Sequence, residues 1–275
     1  MNTHKNALFL FLSLALYTLA FPVKAPAQDV GTIISHGNLK KDLLDFSDRS
    51  RWEKMRKSYE YEQQSKLVNE ILFLNDPPKA LASLEWLKDI VKEGEETYYV
   101  YPSIYAIQLH RVNYVSNNTE AKITAKAMSY YSKLLLLTDA ARCDDNGVGT
   151  NRFYNLSKTL SNVDKETESL PDNIKRIAMN NALFLEDKYK NRKKQPSICQ
   201  TGVGFMARAL QSEKTEKVES VAKEGNKYGH IPGSIVISIV PDNNIDVFYI
   251  SDEDWNNKRN EIRTSFSKSL NKEKN

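Results

Sequence analysis

Apolar residues recur at spacings of three and four along most of the chain from Leu39 to about Lys223, so that stretch reads as a succession of helices. Ser47 or Asp48 can cap the first, which carries Trp52, Met55, Tyr59, Leu67, Ile71 and Leu74. Its polar middle, Glu60 to Lys66, predicts a solvated stretch or a break. Asp76-Pro77-Pro78 restarts the chain, with Asp as cap and Pro in the first turn. That helix buries Leu81, Leu84, Leu87, Ile90 and Val91 before Gly94 ends it. Pro102 opens another with Ile104, Tyr105, Leu109 and Val112. Asn118 or Thr119 caps the most strongly patterned helix, which reaches about Arg142 through Ile123, Ala127, Met128, Tyr131, Leu134, Leu135 and Leu137. A short helix is expected over Phe153 to Leu160, and a longer one from Pro171 with Ile174, Ile177, Ala178, Ala182, Leu185 and Tyr189. Gly202 or Gly204 leads into one with Phe205, Met206, Ala209, Leu210, Val218 and Val221, closed by Gly225.

The period then changes. Ser234 to Val240 (SIVISIV) alternates with period two, Pro241 to Asn244 is turn chemistry, and Ile245 to Ile250 (IDVFYI) is a second β-rich run. Two such runs on a short turn predict an antiparallel β-hairpin. Ser251 or Asp252 caps a final helix with Trp255, Ile262, Phe266 and Leu270, the nearest element to cover the hairpin's apolar face. The expected fold is therefore mainly α: a multi-helix domain over 28–225, then a β-hairpin and C-terminal helix over 226–275 packed on it. Trp52 and Trp86 are 34 residues apart, but the positions around them do not recur, so no repeat is assigned.

Residues 1–27 stand apart. Lys5 lies in an acid-free start, Ala7 to Phe21 is an apolar run, and Ala25-Pro26-Ala27 supplies the small residues of a cleavage site. This is the pattern of a secretory signal peptide, so the chain is expected to be exported, periplasmic or extracellular after cleavage near Ala27. An uncleaved leader acting as an anchor is the rival reading and the one expected route to a membrane. The leader also changes the charge. Its loss removes Lys5 and Lys24 and takes the formal net charge from +4 to +2. A nucleic-acid binder carries a strong basic excess, so no nucleic-acid partner is expected.

The chain has two cysteines, Cys143 and Cys199. In an exported protein they are expected to form a disulfide, joining the end of the long helix to the start of the Phe205 helix. Each is followed by a Gly-Val-Gly, at 147–149 and 202–204, which suggests turns that need backbone freedom. A catalytic thiol served by His110 or His230 is the rival reading.

Other chemistry is sparse. No His-Glu-x-x-His, Gly-x-Ser-x-Gly, phosphate-binding loop or dinucleotide fingerprint occurs. No cofactor and no metal site are expected. Asp242, Asn244, Asp246 and Glu253 match four positions of a calcium loop, but Val247 stands where that loop needs glycine. The two Gly-Val-Gly pieces can present N–H groups to an anion, although turn geometry is the simpler account. His110 reads as a packed or surface histidine. Asn117-Asn118-Thr119 and Asn155-Leu156-Ser157 match glycosylation acceptors, which matter only in a eukaryotic secretory pathway. Tyr98, Tyr99, Tyr101 and Tyr105 form an aromatic cluster able to stack on a sugar or a partner. Lys188 to Lys194 holds five bases, ending in Lys193 and Lys194, that can touch an anionic surface or complement a helix dipole.

No catalytic residue is assigned. The leading expectation is a non-enzymatic binding or assembly component of a bacterial envelope or a secreted factor, with a protein or envelope partner. A glycan-directed enzyme using an acid pair assembled by folding, and a secreted effector or toxin-like protein, are the alternatives.

Overall fold

The computed structural model describes residues 46–58, 61–74, 77–94, 97–116, 118–145, 147–200, 202–211, 216–221, 235–240 and 247–272. The leader and its cleavage site lie outside them, as do Asp76, Asn117, Asp242, Asn244, Asp246, His36 and His230. The described part is mainly helical: α1 Phe46–Lys57, α2 Tyr61–Leu72, α3 Pro77–Glu93, α4 Val100–Ser116, α5 Thr119–Ala140, α6 Val148–Thr159, α7 Ser161–Thr167, α8 Asp172–Lys188, α9 Pro196–Cys199, α10 Val203–Gln211 and α11 Asp252–Lys272. Strands β1 Glu216–Val221 and β2 Ile235–Val240 pair antiparallel, with Glu216 opposite Val240 and Val221 opposite Ile235.

The chain folds as two compact units that do not follow chain order. Of the described residues, one unit comprises those up to Leu136, Tyr154–Lys193 and those from Ile262 on; the other comprises those within Leu137–Phe153 and Lys194–Glu261.

In the first unit, the two tryptophans are packing partners. Trp52 of α1 lies against Trp86 of α3 with ring centroids 5.4 Å apart, and Trp86 meets Tyr101 edge-on. Leu67, Ile71, Leu87, Ile90 and Ile104 complete this cluster. A buried indole N–H needs an acceptor. Trp52 donates to Glu70 Oε1 (2.8 Å) and Trp86 to Glu53 Oε1 (2.6 Å). α1 ends at Lys57 and α2 begins at Tyr61, so residues 61–66 of the polar stretch are helical and form the start of α2. Gly94 ends α3 as expected: its φ is +64°, and a Cβ there would collide with the Tyr189 ring. Asn118 caps α5, its Oδ1 accepting the Glu120 and Ala121 N–H groups (both 3.0 Å).

In the second unit, Cys143 and Cys199 are joined by a disulfide, both buried, 5.4 Å apart at Cα and 56 residues apart in sequence. It ties the turn after α5 to the end of α9, directly before α10. Ser251 caps α11, its Oγ accepting the Asp254 N–H (3.0 Å). Trp255 is buried and donates to Thr138 O (2.8 Å), with Arg142 stacked 4.0 Å from its ring.

Three expectations are corrected. Val218 and Val221 do not extend the Phe205 helix. α10 ends at Gln211, and both residues lie in β1, because an alternating strand partner for β2 outweighs a weak helical period. The described end of the IDVFYI run is not a ladder partner of β2. Tyr249 bridges Cys143, Asp144 N donates to Phe248 O (3.1 Å) and Ile250 N to Arg142 O (2.9 Å). Among the described glycines only Gly94 has positive φ, so the Gly-Val-Gly pieces serve a purpose other than left-handed turns. β2 contacts α10.

Candidate functional site

The tyrosine cluster divides. Tyr101 is buried against Trp86, and Tyr105 packs on the same core, where burial pushes its hydroxyl well above the ordinary phenol range. Tyr98, which also packs against that core, and Tyr99 are half-buried, their rings edge to face with centroids 4.4 Å apart. α4 sets this division, because Tyr101 and Tyr105 are one helical turn apart on its inner face whereas Tyr98 and Tyr99 precede it.

The basic run divides too. α8 ends at Lys188, so most of the run lies beyond the helix. Lys188 stands 4.9 Å from the Tyr189 ring, and Lys193 is exposed. Lys194, in the second unit, pairs with Asp252 (3.4 Å) and sits 5.0 Å from the Tyr249 ring. Arg192 turns inward. Its side chain is 1% exposed and meets Glu186, which is 0% exposed, at 3.3 Å. Arg263 of α11 reaches the other Glu186 oxygen at 2.5 Å and also donates to Leu183 O (2.9 Å). Sequence periodicity did not single out Glu186, because a charge beside an apolar stripe reads as solvated. The one pointer was its position next to Leu185, on the buried side of α8.

A second charged group closes on Asp164 of α7. Lys133 approaches Oδ2 at 2.5 Å, Ser129 donates to Oδ1 at 2.8 Å, and Lys126 lies 3.4 Å from Oδ1. The three α5 residues fall at i, i+3 and i+7, hence on one face. Burial alone would raise the Asp164 pKa, but the two ammonium groups and the Ser129 hydroxyl outweigh it and hold the carboxyl below its ordinary value. Burial pulls Lys126 down. Ser129 is buried and its hydroxyl donates a hydrogen bond to the ion-paired Asp164 carboxylate, which ties α5 to α7. His110 packs on the same short helix, Nδ1 to Glu166 Oε2 at 2.6 Å.

The Gly-Val-Gly pieces converge on one carboxylate in the second unit. Asp145 Oδ1 accepts the Gly147 N–H (2.9 Å), and Oδ2 accepts the Gly204 N–H (2.5 Å) at the start of α10. A Cβ on Gly202 would overlap the Asp145 carboxylate and Val148. The anion that suits a helix N-terminus is thus supplied internally, and glycine is needed at 202 for close approach.

No helix among the described residues is long and apolar enough to cross a membrane, and no three His, Cys, Asp or Glu side chains there gather as a metal site. The chain matches no protein-family model, no curated protein and no solved structure.

Proposed function

We propose that the protein is an exported binding or assembly component of a bacterial envelope, or a secreted factor, released by cleavage near Ala27. The observation that carries this reading is the fate of the charged side chains. Asp145, Asp164 and Glu186 are each engaged by partners within the fold, as structural ties rather than as an acid pair facing a substrate. Tyr98, Tyr99 and Lys193 keep exposed surface and are the residues we assign to partner contact. Tyr101 and Tyr105 serve the core. Lys194 keeps a lesser role, since it already meets Asp252. The β1–β2 ribbon is two-stranded among the described residues, and an open strand edge also suits docking by strand addition. The disulfide agrees with an oxidising compartment.

The test begins with the full chain, leader included, expressed in a bacterium. Intact mass of the exported product should show a chain starting near residue 28 with both cysteines oxidised. Photo-crosslinkers at Tyr98 or Lys193 should trap one stoichiometric envelope partner, and Tyr99→Ala should weaken that cross-link without lowering the melting temperature. Retention in the cytoplasm would overturn the export reading. Glycan cleavage by the purified protein that disappears on neutralising a single carboxylate would overturn the binding reading in favour of an enzyme.

A further inference from the structure

We propose that the outward face of α8 pairs antiparallel with the same face of a second copy of this chain. The inward face of α8 is occupied. Ala178, Ala182 and Leu185 are buried along it, and Glu186 holds Arg192 and Arg263. On the outward side, Ile177 and Phe184 each keep 45% of their surface exposed. They are seven residues apart, close to two helical turns, so they share one stripe. Exposed Asn180 lies between them. Exposed Arg176 and Asp187 are three turns apart and therefore lie together on one flank of that stripe, Arg176 toward its amino end and Asp187 toward its carboxyl end.

This pattern is complementary to itself. A two-fold axis passing the helix between Asn180 and Asn181 sets Ile177 of each copy opposite Phe184 of the other. The same rotation keeps each flank beside its own counterpart. It brings Arg176 of each copy within about 3 Å, measured along the helix axis, of Asp187 of the other. One pairing thus joins two apolar contacts to two pairs of opposite charge, the reciprocal arrangement that a two-fold interface requires. A parallel pairing would leave Arg176 about 16 Å along the axis from Asp187 and would lose both charge pairs. Asn180 sits near the axis, and a polar side chain inside an apolar seam fixes register and orientation at some cost in stability. One helix face lies at the small end of specific interfaces. The pair therefore forms reversibly, at roughly tens of micromolar, rather than as an obligate dimer.

Sedimentation equilibrium of the purified, disulfide-bonded protein, from about 1 to about 200 µM, should show the mean mass rising from one copy toward two. Ile177→Glu should hold it at one copy, with the melting temperature at the lowest concentration unchanged. Arg176→Asp and Asp187→Arg should each weaken association about tenfold, and the two together should restore it, because the reversed charges meet again. Asn180→Cys should cross-link to its own copy through a short thiol-reactive linker, the native cysteines being bonded to each other. Asn173→Cys should not, since its two copies lie about 20 Å apart along the axis in the antiparallel pair. One copy at every concentration would overturn the proposal. So would a dimer that Ile177→Glu leaves intact, or one that cross-links at position 173 and not at 180. If Ile177→Glu does not fold, the charge reversals still decide, and a double reversal no better than the singles refutes the antiparallel register.

Discussion

Glu186→Gln removes a negative charge that Arg192 and Arg263 share. The glutamate is fully buried and Arg192 almost so, whereas Arg263 keeps some contact with solvent. Neutralising the carboxylate puts a weak acceptor in place of a counter-charge beside the buried Arg192 guanidinium, which also donates to Tyr189 O (3.2 Å). Breaking a buried pair by removing one member costs about 3–5 kcal/mol, because the surviving charge has lost both water and counter-charge. For a chain of this size that corresponds to a fall of roughly 6–20 °C in melting temperature. Urea denaturation at neutral pH, followed by circular dichroism, reads the loss as a lower midpoint at unchanged slope. A second variant separates orphaned charge from lost packing. Glu186→Leu combined with Arg192→Leu removes the buried pair together, and most of the stability should return, since apolar replacement of such pairs is often neutral or better. A loss under about 1 kcal/mol for Glu186→Gln would refute the reasoning, placing the pair with surface ion pairs. A double variant as weak as the single would show that geometry, not charge, is at stake.

Gly94→Ala should cost about 2–5 kcal/mol, from the left-handed backbone and from overlap with the Tyr189 ring. Adding Tyr189→Ala should return the steric part, and an unchanged urea midpoint for Gly94→Ala would count against both causes. Asp164 has a folded pKa below its unfolded value, so its contribution is full above about pH 4 and fades as pH falls through the folded value. Stability measured from about pH 5 to pH 2 should therefore fall more steeply for the native chain than for Asp164→Asn; parallel curves would contradict the assignment.

The helical architecture was legible because local signals agree with packing: Asn118 and Ser251 as caps, Gly94 as terminator, Trp52 and Trp86 on inward faces. The disulfide followed from cysteine count and the leader. What stayed hidden depends on partners distant in sequence. The strand facing Ile235–Val240 is Glu216–Val221, whose lysine and glutamates disguise it as the tail of a helix. α7 carries too few apolar residues to show a period, and holds its place through Asp164 and Val163. Glu186 and Asp145 are acids whose roles need Arg263 and Gly204, respectively 77 and 59 residues away. The six candidate contact residues were chosen by residue type alone, so they split between core and surface once α4 and the end of α8 fixed their directions.

The division into units has a consequence for the order of synthesis. α11 gives Trp255 to one unit and Arg263 and Phe266 to the other. A polypeptide emerging amino end first, from a ribosome or through an export channel, therefore cannot finish either unit until its final helix has been delivered. Neither unit can close before α11 emerges, and Cys143 must await Cys199 while a forty-residue excursion belonging to the other unit, Tyr154–Lys193, passes between them.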